Sequence, residues 1–165
     1  MQGLILRELF AFASGSPGEP PPAGLGGDLE TWAHRLASAR GVPRSELLRG
    51  FGTHLFGRLA DLAPVFVAGS DSALGFLADV ERTVHDELRK LHPQLAPPRL
   101  RCVRRSLDEI ELIYESARDL ADLAEGLIAG CGQFYGEILD VEREPSPRGE
   151  LFRVRRLAPQ RAGPR

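Results

Sequence analysis

The sequence predicts an α+β domain, in which an N-terminal helical part is followed by an antiparallel sheet with one packed helix. Two patterns predict it. Before residue 93, apolar residues recur every three or four positions, which is typical of one face of a helix. Residues 99–115 and 137–156 instead alternate apolar with polar residues, as strands with one buried face do. A chain of 165 residues, 42% of them hydrophobic, can bury one core, so we expect a single domain over residues 1–157.

The N-terminal segment is apolar over residues 3–13 and predicts a short buried helix that carries Ile5 and Leu9. Residues 14–27 are so rich in glycine and proline that we expect a mobile loop there. At the other end of the chain, residues 158–165 are predicted to form a disordered tail.

Two helices are predicted next, over residues 29–40 and 44–61. Asp28 can cap the first helix and Gly41 can end it, while Pro64 ends the second. The expected core faces are Trp32, Leu36 and Ala39 in the first helix, and Leu47, Leu48, Phe51, Leu55, Leu59 and Leu62 in the second. Glycines within the second helix, Gly50, Gly52 and Gly57, favour close backbone packing or a kink.

A further helix is predicted to start at a cap, Asp71 or Ser72, and to run without interruption until Pro93 ends it. Its apolar stripe consists of Leu74, Leu77, Val80, Val84, Leu88 and Leu91. His85 lies on the flank of this stripe, from which its side chain can point into a pocket at the edge of the core.

The sheet is predicted from two pairs of strands. Residues 99–104 and 109–115 flank a turn at 106–108, and residues 137–144 and 150–156 flank a turn at 145–149. Between the pairs, residues 119–134 return to helical spacing. Gly126 and Gly130 are expected to let this helix approach the sheet closely.

A candidate site follows from the pattern Tyr114-x-Ser116-x-Arg118. In an extended segment these three side chains point to the same face. Two hydroxyls and a guanidinium then form a fork of donors that suits the carboxylates of a dicarboxylate ligand. The alternative is that Arg118 only caps a helix or pairs with Asp119 or Asp122.

His85 adds a metal-ligating imidazole to this set. A haem with anchored propionates would need both an axial histidine and a set of donors that binds its two carboxylates. An ordinary histidine at the core boundary is the alternative for His85, and His92 is the competing ligand. We expect His54 to be a helix-surface or packing residue and His34 to be exposed.

His85 followed by Tyr-x-Ser-x-Arg resembles the signature of the H-NOX family, the haem nitric oxide and oxygen binding domains. Five segments that resemble the family occur in the family's order, and together they span most of residues 1–156. They are residues 1–5, 46–56, 85–93, 97–100 and 125–130. One departure is residues 14–27, which stand where the family usually has more helix on the distal side of the haem.

The resemblance implies haem b as the cofactor, with His85 as the ligand of iron. Tyr114, Ser116 and Arg118 would hold the propionates, and Pro98 would press on the macrocycle. The distal face would be formed by Ile5 and Leu9, with Leu123 at the position where oxygen-binding members carry a tyrosine.

The implied function is that of a nitric oxide sensor with little affinity for oxygen, because Leu123 offers no hydroxyl. Family members without an output domain act on a separate partner, such as a histidine kinase or a cyclic-nucleotide enzyme. The alternative is a haem-free module that binds another carboxylate ligand or a partner protein. A homodimer that covers the shortened distal side is left open.

Composition excludes several other classes. A net charge of -2 gives no general attraction to nucleic acid or anionic lipid. The sequence has neither an apolar run long enough for a membrane span nor a signal peptide, so we expect a cytoplasmic protein. Cys102 and Cys131 are expected to be free, mostly buried thiols. The sequence has no catalytic triad and no phosphate-binding loop, and therefore does not predict an enzyme.

Overall fold

The computed structural model describes Glu8, residues 29–91 and residues 97–158. The helices are α1 (Leu29–Arg40), α2 (Arg44–Leu62), α3 (Ala73–Val80), α4 (Asp86–Leu91) and α5 (Ala121–Tyr135). A 3-10 turn, Pro64–Phe66, follows α2, and a π-turn, Glu81–His85, joins α3 to α4. The strands are β1 (Arg99–Arg104), β2 (Glu109–Glu115), β3 (Ile138–Ser146) and β4 (Gly149–Leu157).

The four strands form one antiparallel sheet in the order β1-β2-β4-β3. One face is apolar and faces the helices, since Ile110, Leu112, Phe152 and Val154 are almost fully buried. On the opposite face, charged side chains pair across the strands, as Arg153 does with carboxylates of β2 and β3. The predicted α+β fold, with helices first and a helix packed on an antiparallel sheet, is confirmed.

The core consists of two clusters. The larger one lies between the sheet and helices α3 and α5, and includes Phe76, Tyr114 and Phe152. The smaller one lies between α1, α2 and α5, and includes Trp32 and Phe51. Because α5 contributes to both clusters, it joins the helical part to the sheet.

Helices α2 and α5 are in direct backbone contact. A methyl group on Gly126 would collide with the Arg49 carbonyl oxygen of α2, and one on Gly52 would lie 2.8 Å from the Leu127 nitrogen of α5. Thr53 Oγ1 donates a hydrogen bond of 3.2 Å to the Gly126 carbonyl oxygen across this contact. The predicted partner of the α5 glycines is wrong. Gly126 and Gly130, where a methyl group would lie 2.7 Å from the Thr53 carbonyl oxygen, let α5 approach α2 rather than the sheet.

The helix boundaries agree with the predicted ones, except that the helix expected to continue to Pro93 is divided by the π-turn into α3 and α4, and two predicted core positions are wrong. Gly41 has a φ of 67°, as expected for the residue that ends α1. Ala39 is exposed, since α1 turns Ala33 and Ala37 inward instead. Leu62 is 52% exposed because it is the last residue of α2, beyond the packed turns.

Some predictions fall on residues outside the described ones. They concern the helix at residues 3–13 apart from Glu8, the loop at 14–27, His92 and most of the tail. Glu8 is helical and buried, and it accepts a hydrogen bond from Arg58 Nε at 3.2 Å. His54 Nε2 lies 3.5 Å from the same carboxylate, so His54 packs against this part of the chain as expected. His34 is exposed, as expected.

Both cysteines are free thiols, with Cys131 buried and Cys102 half-buried. Burial raises the pKa of each thiol above its ordinary value. None of the helices in the described ranges is long and apolar enough to cross a lipid bilayer.

Candidate functional site

A cavity of about 370 Å³ lies between the helices and the apolar face of the sheet. Its walls come from α2, the 3-10 turn, the α3–α4 region, α5 and strands β1, β2 and β4. Among the described residues that line it, His85 and Tyr114 are the two with a polar side-chain group, and the others are aliphatic or aromatic. A cavity of this size and character suits a small organic ligand or a cofactor.

His85 lies at the end of the π-turn, where the backbone widens between α3 and α4. Its side chain is only 14% exposed. Burial lowers the pKa of His85 below its ordinary value of 6.5, although the hydrogen bond to Glu81 opposes this shift. The imidazole therefore faces the cavity in its neutral form, which is the form that binds metals.

Glu81 determines which ring nitrogen of His85 is free. His85 Nδ1 lies 3.1 Å from Glu81 Oε2, and the same carboxylate accepts from the Leu100 N–H at 2.9 Å and pairs with Arg89 at 2.8 Å. A carboxylate that accepts from an N–H and a guanidinium is an acceptor toward His85 as well, so Nδ1 carries the proton. Nε2 is then left with a lone pair for a ligand.

The Tyr114, Ser116 and Arg118 group is assembled by a turn rather than by a strand. Strand β2 ends at Glu115, and Ser116 Oγ accepts a hydrogen bond of 3.0 Å from the Arg118 N–H. The prediction that the three residues alternate along one extended segment is wrong, because this side-chain bond bends the chain after Tyr114. Ser116 and Arg118 do not appear among the residues that line the cavity, whereas Tyr114 does.

Tyr114 is 5% exposed, and its burial raises the pKa of the phenol above its ordinary value. A hydrogen bond with the Ser116 side chain and the charge of Arg118 both oppose this shift. All three groups are therefore close in space, even though the predicted backbone geometry is not the one observed.

Arg118 is available for a ligand. Asp119, which could have neutralised it, pairs with Arg44 at 3.1 Å, and Asp122 pairs with Arg49 and Arg143 at 3.0 and 2.9 Å. Within the described part of the chain, the Arg118 guanidinium makes no ion pair. The alternative in which Arg118 only pairs with Asp119 or Asp122 is not what the structure shows.

The remaining predicted site residues are placed as follows. Pro98 lines the cavity, and its carbonyl oxygen accepts from Arg89 at 2.9 Å. Leu123 is absent from the lining and packs in the smaller core cluster, while Leu127, one turn later, faces the cavity. The role of Leu123 at the distal face stays a prediction. Ile5 and Leu9 lie outside the described residues.

Glu81 and the π-turn are the parts of the site that sequence reasoning missed. A signal for Glu81 existed, because an acidic residue four positions before a histidine on a helix lies within reach of its ring. A π-turn has no comparable sequence signature, although such turns are frequent at functional sites.

Together these features define an α+β domain with an apolar pocket that one buried imidazole, His85, enters, while Arg118, which makes no ion pair among the described residues, lies near Tyr114 of the pocket wall. A model of the haem-NO-binding family matches residues 28–143, more than half of the chain, and the protein therefore belongs to the haem-NO-binding, or H-NOX, family. Domains of this family are haem-based, gas-binding sensor modules and in general not enzymes. No curated protein matches the sequence.

Solved structures agree with the family on the fold. The H-NOX protein of Shewanella oneidensis in its Fe(II)NO state is similar with a TM-score of 0.80 at 19% identity, covering 96% of this chain and 100% of that one. The unliganded Fe(II) H-NOX protein of K. algicida gives 0.78 at 18% identity, covering 98% and 99%. An oxygen complex of an H-NOX domain related to soluble guanylate cyclases gives 0.74 at 21%, covering all of both chains.

Haem, the cofactor of this family, fits the donor set described above. The cavity walls are apolar, as a macrocycle requires, and in a haem complex His85 would offer Nε2 to the iron and Arg118 would pair with a propionate.

Proposed function

We propose that this chain binds haem b through His85 Nε2 and acts as a nitric oxide sensor. The observation that carries the proposal is the state of His85, a neutral imidazole that enters an apolar cavity with Nδ1 held by Glu81. An ordinary boundary histidine would not need its second nitrogen kept free in a cavity. The cofactor supplies a ferrous iron that binds diatomic gases.

The residues of the chain bind and orient the cofactor and shield it from water. Arg118 and Ser116 would hold the propionates by hydrogen bonds, which are charge-assisted at Arg118, with the Tyr114 hydroxyl beside them. Pro98 lines the same cavity as His85 and would contact the macrocycle. The aliphatic and aromatic lining excludes water from the pocket.

The side chains that line the pocket support the choice of nitric oxide over oxygen. Of the described lining residues only Tyr114 has a hydroxyl, and we assign that hydroxyl to the propionate side of the site. Ile5 and Leu9, the predicted distal residues, carry no donor. Oxygen needs such a donor to stabilise its partial negative charge, whereas nitric oxide does not. The fold itself does not decide, since both a nitric oxide and an oxygen complex resemble it.

Nitric oxide bound to the haem would weaken the bond between iron and His85, and the resulting release of His85 would be the signal. Release would let α3 and α4 shift against the sheet, which is a two-state element biased by the ligand. We place the output in a separate partner, such as a histidine kinase or a cyclic-nucleotide enzyme. A homodimer remains compatible with this proposal.

The test is the absorption spectrum of the purified protein after haem addition and reduction, in the presence of nitric oxide and of air. We expect a stoichiometric Soret band that shifts with nitric oxide and not with oxygen. His85→Ala should abolish the wild-type ferrous spectrum, whereas His34→Ala, which changes an exposed histidine on α1, should preserve it.

Two results would overturn the proposal. Normal haem affinity and an unchanged ferrous spectrum in His85→Ala would remove His85 from the site. Failure of the wild-type protein to give a specific band would favour the haem-free alternative, in which Arg118 binds another carboxylate ligand.

A further inference from the structure

We infer that Glu81 is a positioning residue that strengthens the bond between His85 and the haem iron, and that it thereby determines how readily nitric oxide releases His85. This inference rests on the proposed function.

The Glu81 carboxylate receives donors from three directions. His85 Nδ1 is 3.1 Å and the Leu100 N–H 2.9 Å from Oε2, and Arg89 lies 2.8 Å from Oε1. These donors belong to the π-turn, to β1 and to α4. A carboxylate held from three elements has little freedom to turn away, so the orientation of the His85 ring is determined by the fold.

The same contacts tie the His85 segment to the start of β1. Leu100 lines the cavity, and the carbonyl oxygen of Pro98, another lining residue, accepts from Arg89 at 2.9 Å. Glu81 and Arg89 therefore hold the His85 helix against the start of β1. Movement of His85 away from β1 has to break or stretch the bond between Glu81 and the Leu100 N–H.

The hydrogen bond also changes the imidazole as a ligand. An N–H that donates to a carboxylate pushes electron density into the ring, which raises the basicity of the opposite nitrogen. Removal of such a partner typically costs about 10–100-fold in metal affinity. Arg89 lowers the basicity of His85 Nε2, because its positive charge partly neutralises the Glu81 carboxylate that accepts from Nδ1.

Glu81→Gln tests the inference in the haem-loaded protein. The amide oxygen can still accept from His85, but without a negative charge. We expect a lower iron–histidine stretching frequency in the resonance Raman spectrum of the ferrous protein. With nitric oxide, we expect the ratio of His85-bound to His85-free haem to fall about tenfold.

Glu87→Gln is the matched control. Glu87 is on the same helical segment as His85, and its carboxylate pairs with Lys90 at 2.7 Å. This variant should leave both the stretching frequency and the ratio at wild-type values.

Arg89→Leu supplies a second, opposite test that holds even if Glu81→Gln does not fold. Loss of the guanidinium leaves the full charge of Glu81 to His85, so the stretching frequency should rise. If Glu81 had only a structural role, Glu81→Gln and Arg89→Leu would not shift the iron–histidine stretching frequency in opposite directions.

The outcomes separate the two proposals. Suppose that the wild-type protein binds haem through His85. If Glu81→Gln and Glu87→Gln then give the same spectra, or if Arg89→Leu lowers the stretching frequency, this inference is wrong and the proposed function stands. If the wild-type protein shows no haem band that depends on His85, the proposed function fails and the inference fails with it.

Discussion

Two regions of the molecule are stabilised internally by different forces. One is the packing of α1, α2 and α5, and the other, called here the His85 wall, consists of α3, the π-turn, α4 and the start of β1. Helices α1, α2 and α5 meet through apolar side chains and direct backbone contact, as at Gly52 and Gly126. The His85 wall relies on charged side chains that reach main-chain groups, as Glu81 does to Leu100 and Arg89 to Pro98. Close packing tolerates almost no change in volume, whereas hydrogen bonds can be altered one at a time. The first region therefore serves as a frame, and the second can be tuned.

Gly126→Ala should break the frame and have the largest effect. The added methyl group has no space beside the Arg49 carbonyl oxygen, so α5 must move away from α2. We expect a loss of about 3 kcal/mol in the free energy of unfolding, measured by urea denaturation of the haem-free protein.

Gly57→Ala is the control, because a methyl group there would meet nothing within 4 Å. It should be neutral or stabilise the protein by about 0.5–1 kcal/mol, since alanine favours a helix over glycine. Equal destabilisation by both variants would contradict the view that α2 and α5 are in obligatory backbone contact.

Arg118→Ala should affect the ligand and leave the frame intact. Loss of a charge-assisted hydrogen bond costs roughly 1.5–3 kcal/mol, which corresponds to a tenfold or greater fall in haem affinity. Stability of the haem-free protein should change by less than about 0.5 kcal/mol, because Arg118 makes no ion pair within the described residues.

Haem titration and urea denaturation of the same samples distinguish these two effects. Arg40→Ala, which removes an exposed arginine at the end of α1, should change neither quantity. An Arg118→Ala variant that unfolds more easily but keeps its haem affinity would place Arg118 in the structure instead of the site.

Ser72→Ala should have a smaller effect than Gly126→Ala and Arg118→Ala. Ser72 lies at the start of α3, in the His85 wall. Ser72 caps α3 by accepting from the Gly75 N–H at 3.1 Å. Loss of such a cap costs about 1 kcal/mol, which thermal and urea unfolding can both resolve. Ser38→Ala, at an exposed position of α1, should stay within about 0.5 kcal/mol of wild type. A null result for Ser72 would mean that packing and the Glu137 carboxylate, which accepts from the Ala73 N–H at 3.3 Å, hold the start of α3 without this cap.

Local signals were sufficient for the helices and strands of the described chain. Pro64 and Gly41 end helices, Ser72 begins one, and alternation along residues 109–115 predicts a strand with one buried face. These signals act through backbone geometry within a few residues, which is why their positions can be predicted from the sequence.

The errors concern features that depend on distant parts of the chain. Gly126 was assigned to the sheet because nothing local tells which surface a helix glycine approaches. Leu127 was not predicted as a cavity residue, because the rotation of α5 that brings it there depends on distant packing. At Ser116, a hydrogen bond from a main-chain N–H overrides the extended geometry that the residue pattern predicts.

The turn that carries Arg118 is also clamped by its backbone. Arg44 donates to the Asp119 carbonyl oxygen at 2.7 Å, and Glu30 accepts from the Asp119 N–H at 2.8 Å. A segment that is fixed before its ligand arrives loses little conformational entropy on binding. Cofactor loading of the empty protein should therefore proceed as one second-order step, at a rate proportional to the haem concentration, with no slow rearrangement to follow.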